Sequence, residues 1–430
     1  MMNCFPDRKT APQVFPMGPL HMPEIRTYVL DNGVTLNVLD RGEDEVNRLT
    51  VIIDGGQAEC KMAGLPELAA VARLDGIDGM TGEEVAEILD FNGSWARCAA
   101  SVHHQSLTFH SLNSRIDRVL PVMVGLTAAP VFPDHAAEVA REKAARKLET
   151  DMQKVTWHAA RAIDRLVMGP DCAAARGCTP GGLRDIMPED LRRWHALTCA
   201  TGHISLYLAG RITPRIEDMV ADAFAAVRSD SPGIGRAKLI FTPDMDRHSV
   251  KVERAGSLQT AVKCAIPTIG RLDPDYVSLR LSVMALGGYF GSRLMLNIRE
   301  DKGYTYGIGA ALMGYVEGGF ITIETECDNR YTSAVLDEIA GELRRMHDPS
   351  TYTATELERL RSFLTTTLAA QLDSPFAAMD YYVVRQTADT QADYFDAQQR
   401  ALAGMTPESL ADTARRYFNP EMLYTALAGA

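Results

Sequence analysis

One segment in the second half of the chain combines residue types that could contact a peptide. It reads LGGYFGSRLMLNIREDKGYTYGIG over residues 286–309 and contains Arg299 and, seven residues later, Tyr306. A guanidinium presents a planar fork of hydrogen-bond donors that suits peptide carbonyls. A phenol can donate to an oxygen that becomes negative during a reaction. The alternative is structural: Arg299 would favour the C-terminal end of a helix, and Tyr306 would pack on a sheet.

Residue patterns that bind metals or cofactors are missing from the sequence. The ten histidines include no HxxxH, HxxEH or HExxH spacing, and His103, His104 and His110 are predicted to be surface or rim residues. No nucleophile signature, phosphate-binding loop or dinucleotide fingerprint is present. We therefore expect no metal and no cofactor in this chain.

The elements around Arg299 can be predicted from glycines and apolar spacing. A helix through Tyr276 and Leu286 ends at the following glycine pair, and a second helix through Leu294 ends at Gly303. Arg299 then falls in the last turn of the second helix. Tyr306 follows on an adjoining strand, and two further helices are expected beyond residue 333.

An internal duplication relates the two halves of the chain. Pro188-Glu189-x-Leu191 recurs as Pro407-Glu408-x-Leu410, and the Leu-Ala-Gly at residues 208–210 recurs at residues 427–429. The offset is 219 residues in both cases, and each copy predicts a helix followed by a short apolar strand. Repeats of this kind indicate two homologous units.

The first half alternates strands with helices. Asn32-Gly33 between two β-rich runs predicts a hairpin, and Thr81 with Glu84 forms a capping box before a helix. Longer helical runs are expected over Ile116–Ala128 and Asp134–Leu166. The sequence therefore predicts an α+β fold of two tandem homologous two-layer α/β sandwich domains, with mostly antiparallel sheets covered by helices.

Four segments follow from this organisation. We expect an N-terminal arm over residues 1–22, a first domain over 23–228, a linker over 229–247 and a second domain over 248–430. The linker begins with the SDSPGIG stretch at residues 229–235, whose composition is typical of a connection between domains.

Composition narrows the cellular context. The formal charge is −12, which argues against general binding to nucleic acid or to an anionic membrane. We find no apolar run long enough to span a membrane, and the proline-rich N-terminus lacks the apolar core of a secretory signal. Eight cysteines at irregular spacing are typical of free thiols in a reducing compartment. A cytoplasmic location is the expectation.

The segment at residues 286–309, together with LDNGVTL at residues 30–36 and the closing LAG of each half, resembles the pitrilysin/insulinase family of zinc peptidases, which includes processing peptidases. The resemblance covers nearly the whole chain. It implies two homologous domains per chain and, often, two chains that enclose a peptide in a chamber. It also implies that an Arg and a Tyr at the spacing of Arg299 and Tyr306 face the zinc site across that chamber.

The zinc motif of active family members is degenerate in this chain. Those members carry HxxEH on the first helix of the first half, where two histidines grip zinc and the glutamate activates water. The matching positions here are Glu67, Ala70 and Val71. The further glutamate ligand of the family aligns with Glu149, which we expect to be a solvated or salt-bridged helix residue instead.

The sequence thus resembles a non-catalytic subunit of a heterodimeric zinc peptidase. The resemblance implies a homologous partner that carries HxxEH and zinc, and a peptide substrate. This chain would supply Arg299, Tyr306 and half of the chamber wall. Two alternatives stay open: a scaffold subunit of a larger assembly without proteolysis, and an inactive homodimer that binds peptides. Peptides in this family add to a sheet edge, which here corresponds to Trp95–Cys98.

Overall fold

The computed structural model describes residue 11 and residues 17–430. Most of the predicted arm, 1–22, lies outside the described residues. The strands are β1 Arg26–Val29, β2 Thr35–Asp40, β3 Val46–Asp54, β4 Gly76–Ile77, β5 Met80–Thr81, β6 Trp95–Ala100, β7 His104–Leu112, β8 Ile204–Gly210, β9 Ser249–Glu253, β10 Gln259–Thr268, β11 Thr305–Gly314, β12 Gly319–Asp328 and β13 Tyr424–Gly429.

The helices pack on the faces of the sheets that these strands form. They are α1 Leu65–Ala72, α2 Gly82–Phe91, α3 Ile116–Ala128, α4 Asp134–Asp151, α5 Val155–Met168, α6 Pro180–Arg184, α7 Pro188–Thr198, α8 Pro214–Ala225, α9 Tyr276–Gly287, α10 Thr332–Arg345, α11 Ala354–Ala370, α12 Pro375–Thr387, α13 Tyr394–Ala403 and α14 Pro407–Tyr417, with a π-helical segment over Met295–Asp301. Within residues 17–430, none of these helices combines the length and apolar character needed to cross a bilayer.

The two larger sheets repeat one topology. The first has the order β1-β2-β8-β3-β7-β6 and the second has the order β11-β12-β10-β13-β9. In the first sheet β8 pairs in parallel with β2 and antiparallel with β3, and in the second β13 pairs in parallel with β9 and antiparallel with β10. The other pairs are antiparallel. The predicted fold class and the predicted hairpin between β1 and β2 are confirmed.

Local sequence signals account for many boundaries. α2 begins at the predicted capping box, in which Thr81 accepts from the backbone N–H of Glu84 and the Glu84 carboxylate accepts from the backbone N–H of Thr81. Val85 and Leu89 then pack into the first core beneath the sheet. β7 buries every second residue, as expected of a strand with one face on a core. The Leu-Ala-Gly repeats lie in β8 and β13, which occupy equivalent central positions.

Each sheet is also covered by a helix from the other half of the chain. Ile163 and Val167 of α5 pack with Tyr424 and Ala426 of the second sheet. Conversely, α12 places Met379 in a cluster with residues of the first sheet, including Leu39, Ile52 and Tyr207. This exchange closes the second face of both sheets, which the predicted two-layer arrangement did not include.

Two helical predictions are wrong in detail. The single run expected over Asp134–Leu166 is two helices, because a turn after Asp151 separates α4 from α5 and lets α5 cross to the second sheet. The two helices expected beyond residue 333 are four, α10 to α13, before α14 begins. The additional helices include α12, whose apolar face is buried against the first half.

An ion pair between a buried arginine and an exposed carboxylate fastens α12 to the first sheet. Arg48 on β3 is 9% exposed, and its guanidinium donates to both oxygens of Asp380, which is 61% exposed, at 2.6 and 3.0 Å. It also donates to the carbonyl of Phe376 at 2.8 Å, and its charge lies 5.2 Å from the Phe376 ring centre. Charge-assisted bidentate bonds of this kind are strong and directional.

Candidate functional site

The helix at the position of the zinc motif is α1. It begins after Gly64, which has a φ of 85° that favours glycine. Ala70 is 1% exposed and belongs to the apolar core beneath the first sheet, whereas Val71 is 57% exposed. Neither side chain has an atom that could bind a metal or accept a proton.

Glu67 is the one polar residue left at the motif positions. Its Oε1 accepts from the Gln57 side-chain amide, and its Oε2 is buried without a hydrogen-bond partner. The carboxylate lines a cavity of about 660 Å³ between α1 and α4, together with apolar side chains such as Val71, Val139 and Leu148. At the zinc-motif positions this chain therefore has a largely apolar cavity instead of a set of metal ligands.

These residues do not fit a zinc ion. In the described residues no group of three His, Cys, Asp or Glu side chains is arranged to hold a metal. The thiols of Cys60 and Cys178 are close to Glu67, but burial raises the pKa of each, which opposes the thiolate that zinc requires. A single carboxylate with two such thiols is not a zinc site.

Glu149 is not part of the α1 cavity. It lies on α4, is 47% exposed and accepts a hydrogen bond from Arg184 at 2.8 Å. Arg184 also binds Glu142, and this contact, with a second from Arg146, lowers the pKa of Glu142 to about 2. The structure thus places Glu149 in a surface ion-pair network, separate from Glu67, Ala70 and Val71.

Arg299 and Tyr306 lie side by side. Arg299 is in the π-helical segment, which ends before Gly303 with its φ of 63°. The guanidinium carbon lies 5.6 Å from the Tyr306 ring centre and 4.6 Å from that of Phe290, and a nitrogen binds Glu300 at 2.5 Å. π-Helical turns are frequent at functional sites.

Tyr306 lacks the packing that a structural role would require. It is 92% exposed at the start of β11, an edge strand of the second sheet, and Phe290 is 61% exposed beside it. Behind them, Gly287 allows close approach of α9 to β11, because an added Cβ would lie 2.6 Å from the backbone nitrogen of Ala310. The sequence predicted Arg299 and Tyr306 but missed Phe290, for which spacing gives no signal.

The two halves border adjoining cavities. Gly307, next to Tyr306, lines a cavity of about 620 Å³ that lies between α5 and the second sheet. Asp151 at the end of α4 lines both this cavity and the α1 cavity. The β11 strand and the degenerate zinc-motif positions on α1 therefore border neighbouring cavities. Arg299 and Glu67 nevertheless belong to different groups of contacting side chains.

The edge strand expected at Trp95–Cys98 is present. β6 is the outermost strand of the first sheet next to β7. Trp95 is half exposed and stacks on His110, with ring centres 4.0 Å apart and planes 13° from parallel. His103 is more enclosed than expected for a surface residue, since it pairs with the buried Glu59 at 2.8 Å.

Comparisons with known proteins agree with this fold. Residues 185–364 match a family model described as the peptidase M16 inactive domain. A peptidase M16 inactive domain from Pseudomonas fluorescens is similar in structure, with a TM-score of 0.85 and 19% identity over 94% of this chain and 98% of that one. A protease from Helicobacter pylori has a TM-score of 0.84 and 14% identity, over 95% and 100% of the two chains. The search of curated proteins found no match.

The fold and the degenerate site define a class: a tandem α+β protein with the fold of a peptidase, in which residues 17–430 hold no group of side chains suited to a metal ion. The resemblance to the pitrilysin/insulinase family of zinc peptidases is confirmed, and both the matching family model and the Pseudomonas fluorescens structure are described as an inactive domain. At 14% to 19% identity the solved structures establish the fold alone.

Proposed function

We propose that this chain is the non-catalytic subunit of a heterodimeric zinc peptidase. The proposal rests on a contrast between the two halves of the chain. At the zinc-motif positions Ala70 is buried and Val71 is apolar, whereas Tyr306 projects almost fully into solvent beside Arg299. An exposed phenol that packs against no core residue is better suited to contact a ligand than to stabilise the fold.

In the assembled pair, the homologous HxxEH subunit supplies the zinc and the general base. This chain supplies two donors and one wall of the chamber. Arg299 is held between the rings of Phe290 and Tyr306, which orients its guanidinium for peptide carbonyls. The Tyr306 hydroxyl donates to the scissile carbonyl oxygen as negative charge develops on it. The substrate is a short or unfolded peptide, because a closed chamber excludes folded chains.

Reconstitution tests the proposal. The chain is mixed with an HxxEH homologue from the same genome, and mass is followed by light scattering while cleavage of a fluorogenic peptide library is measured. We expect a 1:1 complex that cleaves peptides, with each chain alone inactive and with activity lost to a chelator. A stable interface should bury at least about 1,000 Å².

A matched variant separates assembly from chemistry. Arg299→Ala should weaken peptide binding in the mixed complex, and raise KM, without changing its mass. A homodimer or monomer that never joins any HxxEH homologue would contradict the proposal. A complex that forms but cleaves no peptide would favour the scaffold alternative.

A further inference from the structure

A third cavity, separate from the cluster of Arg299, Tyr306 and Phe290, lies in the second half. It has a volume of about 820 Å³, is partly open to solvent and is lined by α9, the middle of β11 and the helices α11, α12 and α13. This volume is within the range of small-molecule sites, about 300–1,000 Å³. Neither Arg299 nor Tyr306 lines it, so the proposed peptidase role leaves this cavity without a function.

Positive charge in this cavity has no local counterion. Arg271, Arg280 and Arg385 all line it, and in residues 17–430 none of the three forms an ion pair with a carboxylate. Asp380 is the acidic residue in the lining, and both its oxygens are already bound by Arg48. A chain with a net charge of −12 therefore places three arginines, none with an ion-pair partner among the described residues, around one cavity.

The remaining lining adds aromatic surface and one unpaired acceptor. The rings of Tyr276, Tyr381 and Tyr394 face the space. Burial raises the pKa of the Tyr276 and Tyr381 phenols, so these groups stay neutral and do not offset the arginines. The Oε1 of Gln371 is buried and has no hydrogen-bond partner. Buried acceptors of this kind are ordinarily satisfied, so a ligand donor would fit there.

We propose that this arginine cavity, defined by Arg271, Arg280, Arg385 and Gln371, binds a small phosphorylated molecule that also carries hydroxyl or amino groups. Arginine forks match phosphate oxygens, often two bonds at a time. The phosphates lie against Arg280 and Arg385, while Arg271 is fixed by donation to the Gly314 carbonyl at 2.8 Å. A hydroxyl or amino group of the ligand donates to Gln371, and its ring or apolar part packs on the tyrosines.

The size of the space suits a small ligand. A volume of about 820 Å³ accommodates a molecule of nucleotide size, with its phosphates at the arginines and its ring at the tyrosines. Because Asp380 also fastens α12 to the first sheet, an occupied cavity lies directly beside the contact between the halves. The proposal does not depend on the peptidase role.

Calorimetry of the purified chain with magnesium-free ATP and with inorganic tripolyphosphate tests the proposal. We expect saturable 1:1 binding of ATP, weakened at least about tenfold by Arg280→Gln and by Arg385→Gln, since each removes charged bonds to phosphate. Arg344→Gln, at an exposed arginine of α10 outside the cavity, should leave the affinity unchanged. Gln371→Leu should weaken ATP binding and leave tripolyphosphate binding unchanged.

Circular dichroism and urea unfolding of every variant control for folding. Two results would overturn the proposal: no saturable binding of either probe up to millimolar concentration, or equal weakening by Arg344→Gln and the two cavity variants. Equal ATP affinity in wild type and Gln371→Leu would overturn the assignment of that side chain to a hydroxyl or amino group.

Discussion

A fall in pH from 7 to 5 should destabilise the chain by about 2 kcal/mol through one partly buried histidine, His195. Its Nε2 lies 3.1 Å from the Ala128 carbonyl oxygen, and its Nδ1 lies 3.2 Å from the Arg73 guanidinium. Because a carbonyl only accepts and a guanidinium only donates, the ring must be neutral with its hydrogen on Nε2. Burial, and then the charge of Arg73, lower the pKa of His195 from 6.5 to about 3.

The sign of the effect follows from proton binding. The unfolded chain takes up a proton at this histidine near pH 6.5, whereas the folded chain does not until about pH 3. Stability from this group is therefore fully present above pH 6.5 and is lost as pH falls from 6.5 towards 3. At pH 5 the unfolded histidine is almost fully protonated, and the loss relative to pH 7 is about 2 kcal/mol.

Urea unfolding at pH 7, 6 and 5 measures this loss. His195→Gln keeps a donor for Ala128 and an acceptor for Arg73 but cannot titrate, so its free energy of unfolding should fall about 2 kcal/mol less than that of wild type. Burial also lowers the pKa values of His104 and His110, which are present in both proteins. The contribution of His195 is therefore the difference between wild type and His195→Gln in the pH dependence of the free energy of unfolding. His135→Gln, at an exposed position, should behave as wild type. Equal pH dependence in wild type and His195→Gln would refute the reasoning.

Three further predictions concern the zinc content of the chain, the contact between its two halves and the cluster of Arg299, Tyr306 and Phe290. Metal analysis of the isolated chain should find no stoichiometric zinc; about one tightly held ion per chain would contradict this. Arg48→Met should lower the free energy of unfolding by about 1–2 kcal/mol, because it removes the hydrogen bonds to the Phe376 carbonyl and to Asp380, whose exposed carboxylate is then solvated by water; a change under about 0.5 kcal/mol would contradict it. Phe290→Ala should raise the KM of the reconstituted pair about 2–5-fold by removing one stacking face of Arg299, and an unchanged KM would show that the ring is dispensable.

Local signals made much of the fold predictable from the sequence. The hairpin at Asn32-Gly33, the capping box at Thr81 and the ends of α3 depend on residues close together in the chain, so their chemistry can be recognised without tertiary information. The Leu-Ala-Gly repeat predicted equivalent strands, and β8 and β13 indeed occupy equivalent positions.

Long-range packing could not be predicted in the same way. The break between α4 and α5 has no proline or glycine, and it is explained by the burial of Ile163 and Val167 against a sheet whose strands lie between residues 249 and 429. The pairing of Arg48 with Asp380 joins residues 332 positions apart. Neither residue is unusual in its own segment, so only the folded chain brings them together.

In the candidate site, too, some features could be predicted from the sequence and others could not. Arg299, Tyr306 and the degenerate positions Glu67, Ala70 and Val71 were found because they lie in short motifs. The stacking of Phe290 on Arg299 and the unpaired Oε2 of Glu67 depend on side-chain placement, which sequence spacing does not determine.

The turnover of a reconstituted pair that carries Tyr306→Phe tests the central claim most directly. The change removes one donor and almost no volume, and the ring is 92% exposed, so assembly and unfolding should stay within about 0.5 kcal/mol of wild type. Tyr304→Phe is the matched control, because that ring stacks on Tyr331 at 4.7 Å, outside the cluster. We predict that kcat falls about 10²- to 10³-fold for Tyr306→Phe and is unchanged for Tyr304→Phe. Wild-type kcat and KM in the Tyr306→Phe complex would contradict the claim that this chain contributes to the chemistry of its partner.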